Sequence, residues 1–429
     1  MQITIKNIWN IKEASVNLSW LSVIAWSNDS WKSTVSKLVF SVIKAFQRYK
    51  FDFNISKEEV LEDYIWKLYR FLRFAIRNED KNDKSLTNLD LLLREDFYPP
   101  VFLNELSAFW GMDIFENKKN KILNLKINKE DKNSMLHSLE NIKTEFLKEE
   151  KKEDLIKTAL KNILQNEFEN QLNNERLWKK WIIEINELES LLIRIVIEDD
   201  KISEVKIFDD ILKIKDTTFI DSPIILNLFN YSIDNSNISS RRNKELQFHI
   251  KDLFSKIRNS KFDKEKENFF IKKLEKITWW TFQIKRRDLQ DVLIFKKWWY
   301  DIDPINTATW IKSFWLLDLL DKSNSLESSD LLILDEPEVH LHPEWQVKYA
   351  ELIIYLIKER DLSVLITSHS PYLIEALDKF SREKWLDNRA NFYLSSELKK
   401  WEYIIENKTD DKNAIFEKLS EPFEKLVWG

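Results

Sequence analysis

The sequence predicts an α/β fold interrupted by a helical insertion. Three observations carry this. Residues 2–25 read as short strands that pass through a polar loop into a helix-spaced run, the stretch from about 55 to 180 is helical and highly charged, and the last third alternates strand and helix again.

Taken in order, Ile3 and Ile5 alternate with polar neighbours, Ala14 to Leu18 do likewise, and Leu21-Ser22-Val23-Ile24-Ala25 has the continuous apolar character of a buried strand. Val35, Leu38, Val39, Val42, Ile43 and Phe46 then recur at helical spacing. In the charged stretch Leu136, Leu139, Ile142 and Phe146, then Leu155, Ala159 and Ile163, mark amphipathic helices; the heptads are too few to require a coiled coil. Between 190 and 300 the texture returns to strands. Leu191–Glu198 and Ile202–Phe208 form a hairpin around Asp199-Asp200-Lys201, Thr217–Asp221 is a strand, and two hairpin-like runs occupy 276–286 and 290–303. Further on, helix 311–320 precedes the strand Leu331–Leu334, helix Trp345–Ile357, strand Leu362–Ile366 and a helix from Tyr372.

The polar loop carries the strongest motif. Trp26-Ser27-Asn28-Asp29-Ser30-Trp31-Lys32-Ser33-Thr34 becomes the phosphate loop G-x-x-x-x-G-K-[ST] when Trp26 and Trp31 are read as glycine. Glycine is needed there because backbone N–H groups must wrap closely around phosphate oxygens at unusual φ. Composition favours that reading: an average chain of this length holds about 30 glycines, whereas this one has 2 Gly and 18 Trp. Other tryptophans stand where turn glycines belong, among them Trp9, Trp20, Trp279-Trp280 and Trp298-Trp299. We read the surplus as a reassigned stop codon rendered as tryptophan; the alternatives are a pseudo-ATPase with tryptophan in its loop and a deliberately altered sequence.

Two further motifs complete a nucleotide-hydrolysing set. The apolar run 331–334 delivers Asp335 and Glu336 to a strand end, where Asp335 suits Mg²⁺ and Glu336 suits a base for an attacking water. His369, in Thr367-Ser368-His369-Ser370-Pro371, follows the next short strand. A metal centre at His340 and His342 is disfavoured, since there is no cysteine and no clear further ligand.

With these residues in hand, the chain resembles the AAA-family ATPases with ABC-type heads, related to the OLD, RecF and SMC group. The resemblance implies a P-loop NTPase fold, an ABC-type ATPase head with a helical insertion. Its parts are expected at 1–50 (first part of the head, with the P-loop), 51–185 (insertion), 186–305 (strand-rich part) and 306–429 (second part of the head). It implies ATP and Mg²⁺ as cofactors. Residues 26–34 and Thr309 would contact nucleotide, Ser33 and Asp335 the metal, Glu336 the attacking water and His369 the γ-phosphate. Thr309 comes from Asn306–Ser313, read as a signature segment with Trp310 restored to glycine, opening a helix whose N-terminus suits phosphate. Trp345, in His-Pro-Glu-Trp-Gln, matches a tryptophan common in the family and is kept. No glutamine was assigned to the loop that senses Mg²⁺.

The same resemblance implies a homodimer closed by ATP. Its output is either a DNA-associated motor or clamp, in repair or antiphage defence, or a nucleotide switch controlling a separately encoded effector. Net charge is −5, so no global basic field announces DNA, and the clusters at Arg241-Arg242, Lys285-Arg286-Arg287 and Lys399-Lys400 are read as solvated faces. Too little chain follows His369 for a Toprim-like nuclease domain. No signal peptide or membrane span is expected, and the protein is expected to be cytoplasmic.

The expected outcome of reading the codons at positions 26 and 31 is a reassigned stop codon. An ordinary tryptophan codon at both positions would overturn the glycine reading.

Overall fold

The computed structural model describes residues 1–26, 32–78, 92–108, 112–125, 127, 129–169, 180–209, 212–233, 246–258, 281–287, 290–297, 299–384 and 386–428. It forms two compact units, Met1–Gln47 with Ile156–Gly429, and Arg48–Leu155. No described helix is long and apolar enough to cross a membrane.

The chain opens with β1 (Gln2–Ile8), β2 (Ile11–Asn17) and β3 (Leu21–Ala25), then enters a 47-residue helix, α1 (Lys32–Asn78), within which the unit boundary falls. Next come α2 (Pro99–Ala108), α3 (Met112–Leu123), α4 (Lys129–Leu147) and α5 (Lys152–Glu167). The helical unit has its own core, in which Ile65, Leu68 and Leu72 of α1 join Phe102, Ile122 and Ile142. The insertion was expected to run to residue 185; in the structure Ala159 and Ile163 of α5 are buried in the part of the chain that forms the sheet-bearing unit.

That unit continues with β4 (Lys180–Glu187), β5 (Ser190–Glu198), β6 (Lys201–Ile207), β7 (Thr217–Ile220), α6 (Leu226–Ile233) and α7 (Phe248–Arg258). Then follow β8 (Thr281–Arg287), β9 (Gln290–Lys297), β10 (Tyr300–Ile302) and α8 (Thr309–Lys322). The last stretch holds β11 (Leu331–Asp335), α9 (Pro343–Arg360), β12 (Ser363–Ser368), α10 (Pro371–Glu383), β13 (Ala390–Lys399), β14 (Glu402–Asn407) and α11 (Asn413–Trp428).

Eleven strands make one sheet in the order β6-β5-β4-β1-β2-β14-β13-β3-β12-β11-β7. Its half from β13 to β7 is parallel, and β3 and β11 are buried along their whole length, which explains their unbroken apolar runs. Val23, Leu332 and Ile366 pack there with Phe314, Trp315 and Ile353 from the covering helices. The other half is largely antiparallel, and the expected hairpin is β5–β6, with Asp199 and Asp200 at φ 47° and 61° in the left-handed turn. The hairpin expected at 290–303 is β9–β10, and β8 pairs antiparallel with β9 to make a three-stranded sheet; residues 276–280 of the other expected run lie outside the described residues. Trp279, Trp280 and Trp298 lie outside the described residues.

Charged groups fix α7 to both ends of β7. At the start of the strand, Lys44 Nζ lies 2.7 Å from Asp216 and 2.8 Å from Asp252, and Lys256 Nζ lies 2.8 Å from Asp216. Burial works against the Asp216 anion, but Lys44 and Lys256 hold its carboxyl below the usual range. Just past the strand, the fully buried His249 places Nδ1 2.8 Å from Glu167 and Nε2 3.3 Å from Asp221. Burial favours the neutral ring, yet Asp221 and Glu167 outweigh it and raise the His249 pKa to about 9.

A raised folded-state pKa stabilises the protein below the unfolded value of 6.5, and that contribution is lost as pH climbs through about 9. Urea unfolding midpoints are therefore expected to fall between pH 7 and pH 9.5, and His249→Gln is expected to flatten that fall.

Candidate functional site

The parallel register gathers the chemistry-bearing residues at one edge of the sheet. Ala25 is paired with Ser368, Thr367 with Asp335, and Leu334 with Ile220, so β3, β12, β11 and β7 all end together. Their outgoing loops carry the polar loop, His369, Glu336 and Asp221. In parallel sheets this carboxyl edge is where ligands bind.

Asp335 is the centre of the cluster and is buried. The Ser33 hydroxyl, in the first turn of α1, donates to Asp335 Oδ2 at 2.5 Å, and the Thr367 hydroxyl donates to Oδ1. Burial pushes the Asp335 carboxyl up, and these two hydroxyls oppose the shift. Among the described residues no cationic side chain forms an ion pair with it, which leaves an oxygen-lined, charge-demanding spot. A carboxylate and a hydroxyl side by side suit a hard cation that keeps several waters, as Mg²⁺ does. Among the described residues no group of three or more His, Asp or Glu is arranged to hold a metal.

Glu336 turns sharply out of β11. Its φ of 45° is left-handed, and its N–H donates to the Thr367 carbonyl at 3.0 Å. Its carboxylate Oε2 lies 3.9 Å from His369 Nδ1, so the expected base and the expected γ-phosphate sensor are neighbours. Both side chains are partly exposed.

The P-loop is bracketed by described residues. Trp26 N–H donates to the Ser368 carbonyl at 3.2 Å, which extends the β3–β12 ladder by one step. The Trp26 indole is buried with its ring centroid 6.0 Å from that of Tyr403, and its Nε1 has no hydrogen-bond partner among the described residues. Ser27, Asn28, Asp29, Ser30 and Trp31 lie outside the described residues, as does the side chain of Lys32. Thr34 is buried.

Thr309 is the first residue of α8, whose N-cap, Ala308, makes no side-chain capping bond. Among the described residues no hydrogen bond joins Thr309 to Ser33, Asp335, Glu336 or His369. Its neighbour Trp310 stacks on Trp345 with centroids 4.2 Å apart. His340 sits at φ 68° in the loop after Glu336, and the His342 side chain caps α9 by accepting from the Glu344 N–H.

Sequence reasoning did not single out Thr367, Glu338 or Asp221 as site residues. Thr367 is recognisable only once β11 and β12 are in register. Asp221 follows β7 as Asp335 ends β11, and the two line one narrow crevice with Ser222 and Pro337.

The sheet order, with one strand between the loop-bearing β3 and the Asp-Glu strand β11, and the hydroxyl–carboxylate contact across that strand fit a P-loop NTPase fold. Residues 313–375, from Ser313 through β11 and β12 into α10, match the family model of the AAA domain described as putative AbiEii toxin, type IV TA system. A 46-residue segment is 37% identical to Septu protein PtuA of Bacillus thuringiensis, a match that spans 11% of each chain. Among solved structures, the SMC head domain from Thermotoga maritima aligns over 95% of this chain and 97% of its own, at 9% identity and a TM-score of 0.39. An SMC head bound to the C-terminal winged-helix domain of ScpA aligns over 96% and 98%, at 10% identity and a TM-score of 0.42.

Thr367→Val removes one of the two hydroxyls that face Asp335 and leaves a buried carboxylate oxygen without its donor. A loss of about 1–3 kcal/mol is expected, read from the urea midpoint at pH 7.

Proposed function

We propose that the chain binds ATP and hydrolyses it with Mg²⁺, and that two copies close on the nucleotide as a homodimer. The observation that carries this is the Ser33 hydroxyl on the Asp335 carboxylate, with Glu336 and His369 on the adjoining loops. Ser33 and Asp335 would hold Mg²⁺, which when bound supplies charge neutralisation to the β- and γ-phosphates. Lys32, Thr34 and the amides of residues 26–31 hold the phosphates at the start of α1, whose N-terminus favours anions. Glu336 accepts a proton from the attacking water and His369 meets the γ-phosphate. Thr309, at a helix start whose N-cap makes no side-chain capping bond, serves the nucleotide of the other copy.

Glycine at Trp26 and Trp31 is part of this reading. Trp9 and Trp401 sit at φ 54° and 73° in the turns after β1 and β13, a region that glycine enters freely and a tryptophan enters only under strain. The buried Trp26 indole leaves its N–H without an acceptor among the described residues, an expense that glycine avoids.

The names of the relatives, a toxin of a toxin–antitoxin system and a Septu protein, support a role in defence, with dimer closure driving a separately encoded effector or acting on DNA. ATP-dependent capture of a neighbouring gene's product would favour the effector; stimulation of turnover by DNA would favour the clamp.

In the chain carrying W26G and W31G, Glu336→Gln is expected to retain ATP binding and to lower turnover by about 10²–10⁴-fold. Turnover equal to the parent would remove Glu336 as the base. Absence of ATP binding by the parent itself would remove the ATPase reading.

A further inference from the structure

The loop that carries His369 is fastened residue by residue to the segment that follows Glu336. The buried Glu338 carboxylate uses a single oxygen, Oε1, to accept from Ser368 Oγ at 2.8 Å and from the His369 backbone N–H at 2.8 Å, and the same oxygen lies 3.1 Å from His369 Nδ1. One residue on, Ser370 Oγ donates to Gln346 Oε1 at 2.5 Å, while Gln346 Nε2 returns to the Leu341 carbonyl. Ser370 also caps α10. Oε2 of Glu338 is buried and has no partner among the described residues, so every described contact of this carboxylate goes to the His369 loop through Oε1.

We infer that Glu338 is a positioning residue for hydrolysis: it holds the proton of the His369 ring on Nδ1 and fixes the ring's direction, leaving Nε2 to meet the nucleotide. The inference rests on the ATPase reading above. Its physical basis is that the hydrogen bond at one imidazole nitrogen decides what the other presents. Because Oε1 also receives the His369 backbone N–H, ring and backbone are oriented by one atom. Glu338 itself touches no substrate.

The test compares Glu338→Ala and Glu338→Gln in the full chain carrying W26G and W31G. For Glu338→Ala, kcat is expected to fall about 10- to 100-fold, as when a supporting partner of a functional histidine is lost. The KM for ATP is expected to stay within about threefold, on the ground that Glu338 supports orientation rather than binding. Glu338→Gln keeps an acceptor of the same shape without the charge and is expected to recover part of kcat. In ¹⁵N-histidine spectra, with the His369 signal assigned by its loss in His369→Asn, the parent is expected to show a protonated Nδ1 and Glu338→Ala a shift toward the other tautomer. If Glu338→Ala does not fold, Glu338→Gln and the parent spectrum decide: parental kcat in Glu338→Gln together with an unprotonated Nδ1 in the parent would overturn the inference. Parental kcat in a folded Glu338→Ala, while Glu336→Gln is inactive, would overturn it and leave the ATPase reading standing. A parent without turnover would instead remove the reading on which it rests.

Discussion

The site depends on keeping one carboxylate, Asp335, out of water at the end of a fully buried strand. A buried anion is costly unless it is compensated, and two hydroxyls meet it here, from Ser33 on α1 and Thr367 on β12. Each donor comes from a different element, and the three elements adjoin only because β3, β12 and β11 run parallel in a fixed register. The helix following β3, the loop following β12 and the turn following β11 therefore share a reference point. Hydroxyls compensate a charge only partly, so the buried carboxylate is left without a full counter-charge among the described residues.

Much of this was legible in the sequence because each element announces itself locally. Leu331–Leu334 and Leu21–Ala25 are continuous apolar runs, the mark of strands covered on both faces, and the acids, hydroxyls and His369 directly follow such runs. The Thr367–Asp335 bond was not legible, since both residues satisfy their local patterns without referring to each other. Register is a long-range property, set by packing across β12. Asp221 was missed for a related reason: one aspartate after a four-residue strand has no signature until β7 is placed beside β11.

The charged middle of the chain was legible in type and less so in extent. The periodicity of Leu139 and Ile142 identifies helices, but the same periodicity continues through Ala159 and Ile163, whose apolar face is buried against different neighbours. Amphipathicity shows that a helix has a buried side and does not name what covers it.

The left-handed backbone at Glu336 sets folding and chemistry at odds in a single torsion. A glutamate at φ 45° is held in a conformation that glycine or asparagine adopts with less strain, so selection for stability alone would move this position away from glutamate. The two adjacent acids thus stand in opposite settings: Asp335 is buried and met by two hydroxyls, whereas Glu336 is partly exposed on a left-handed backbone.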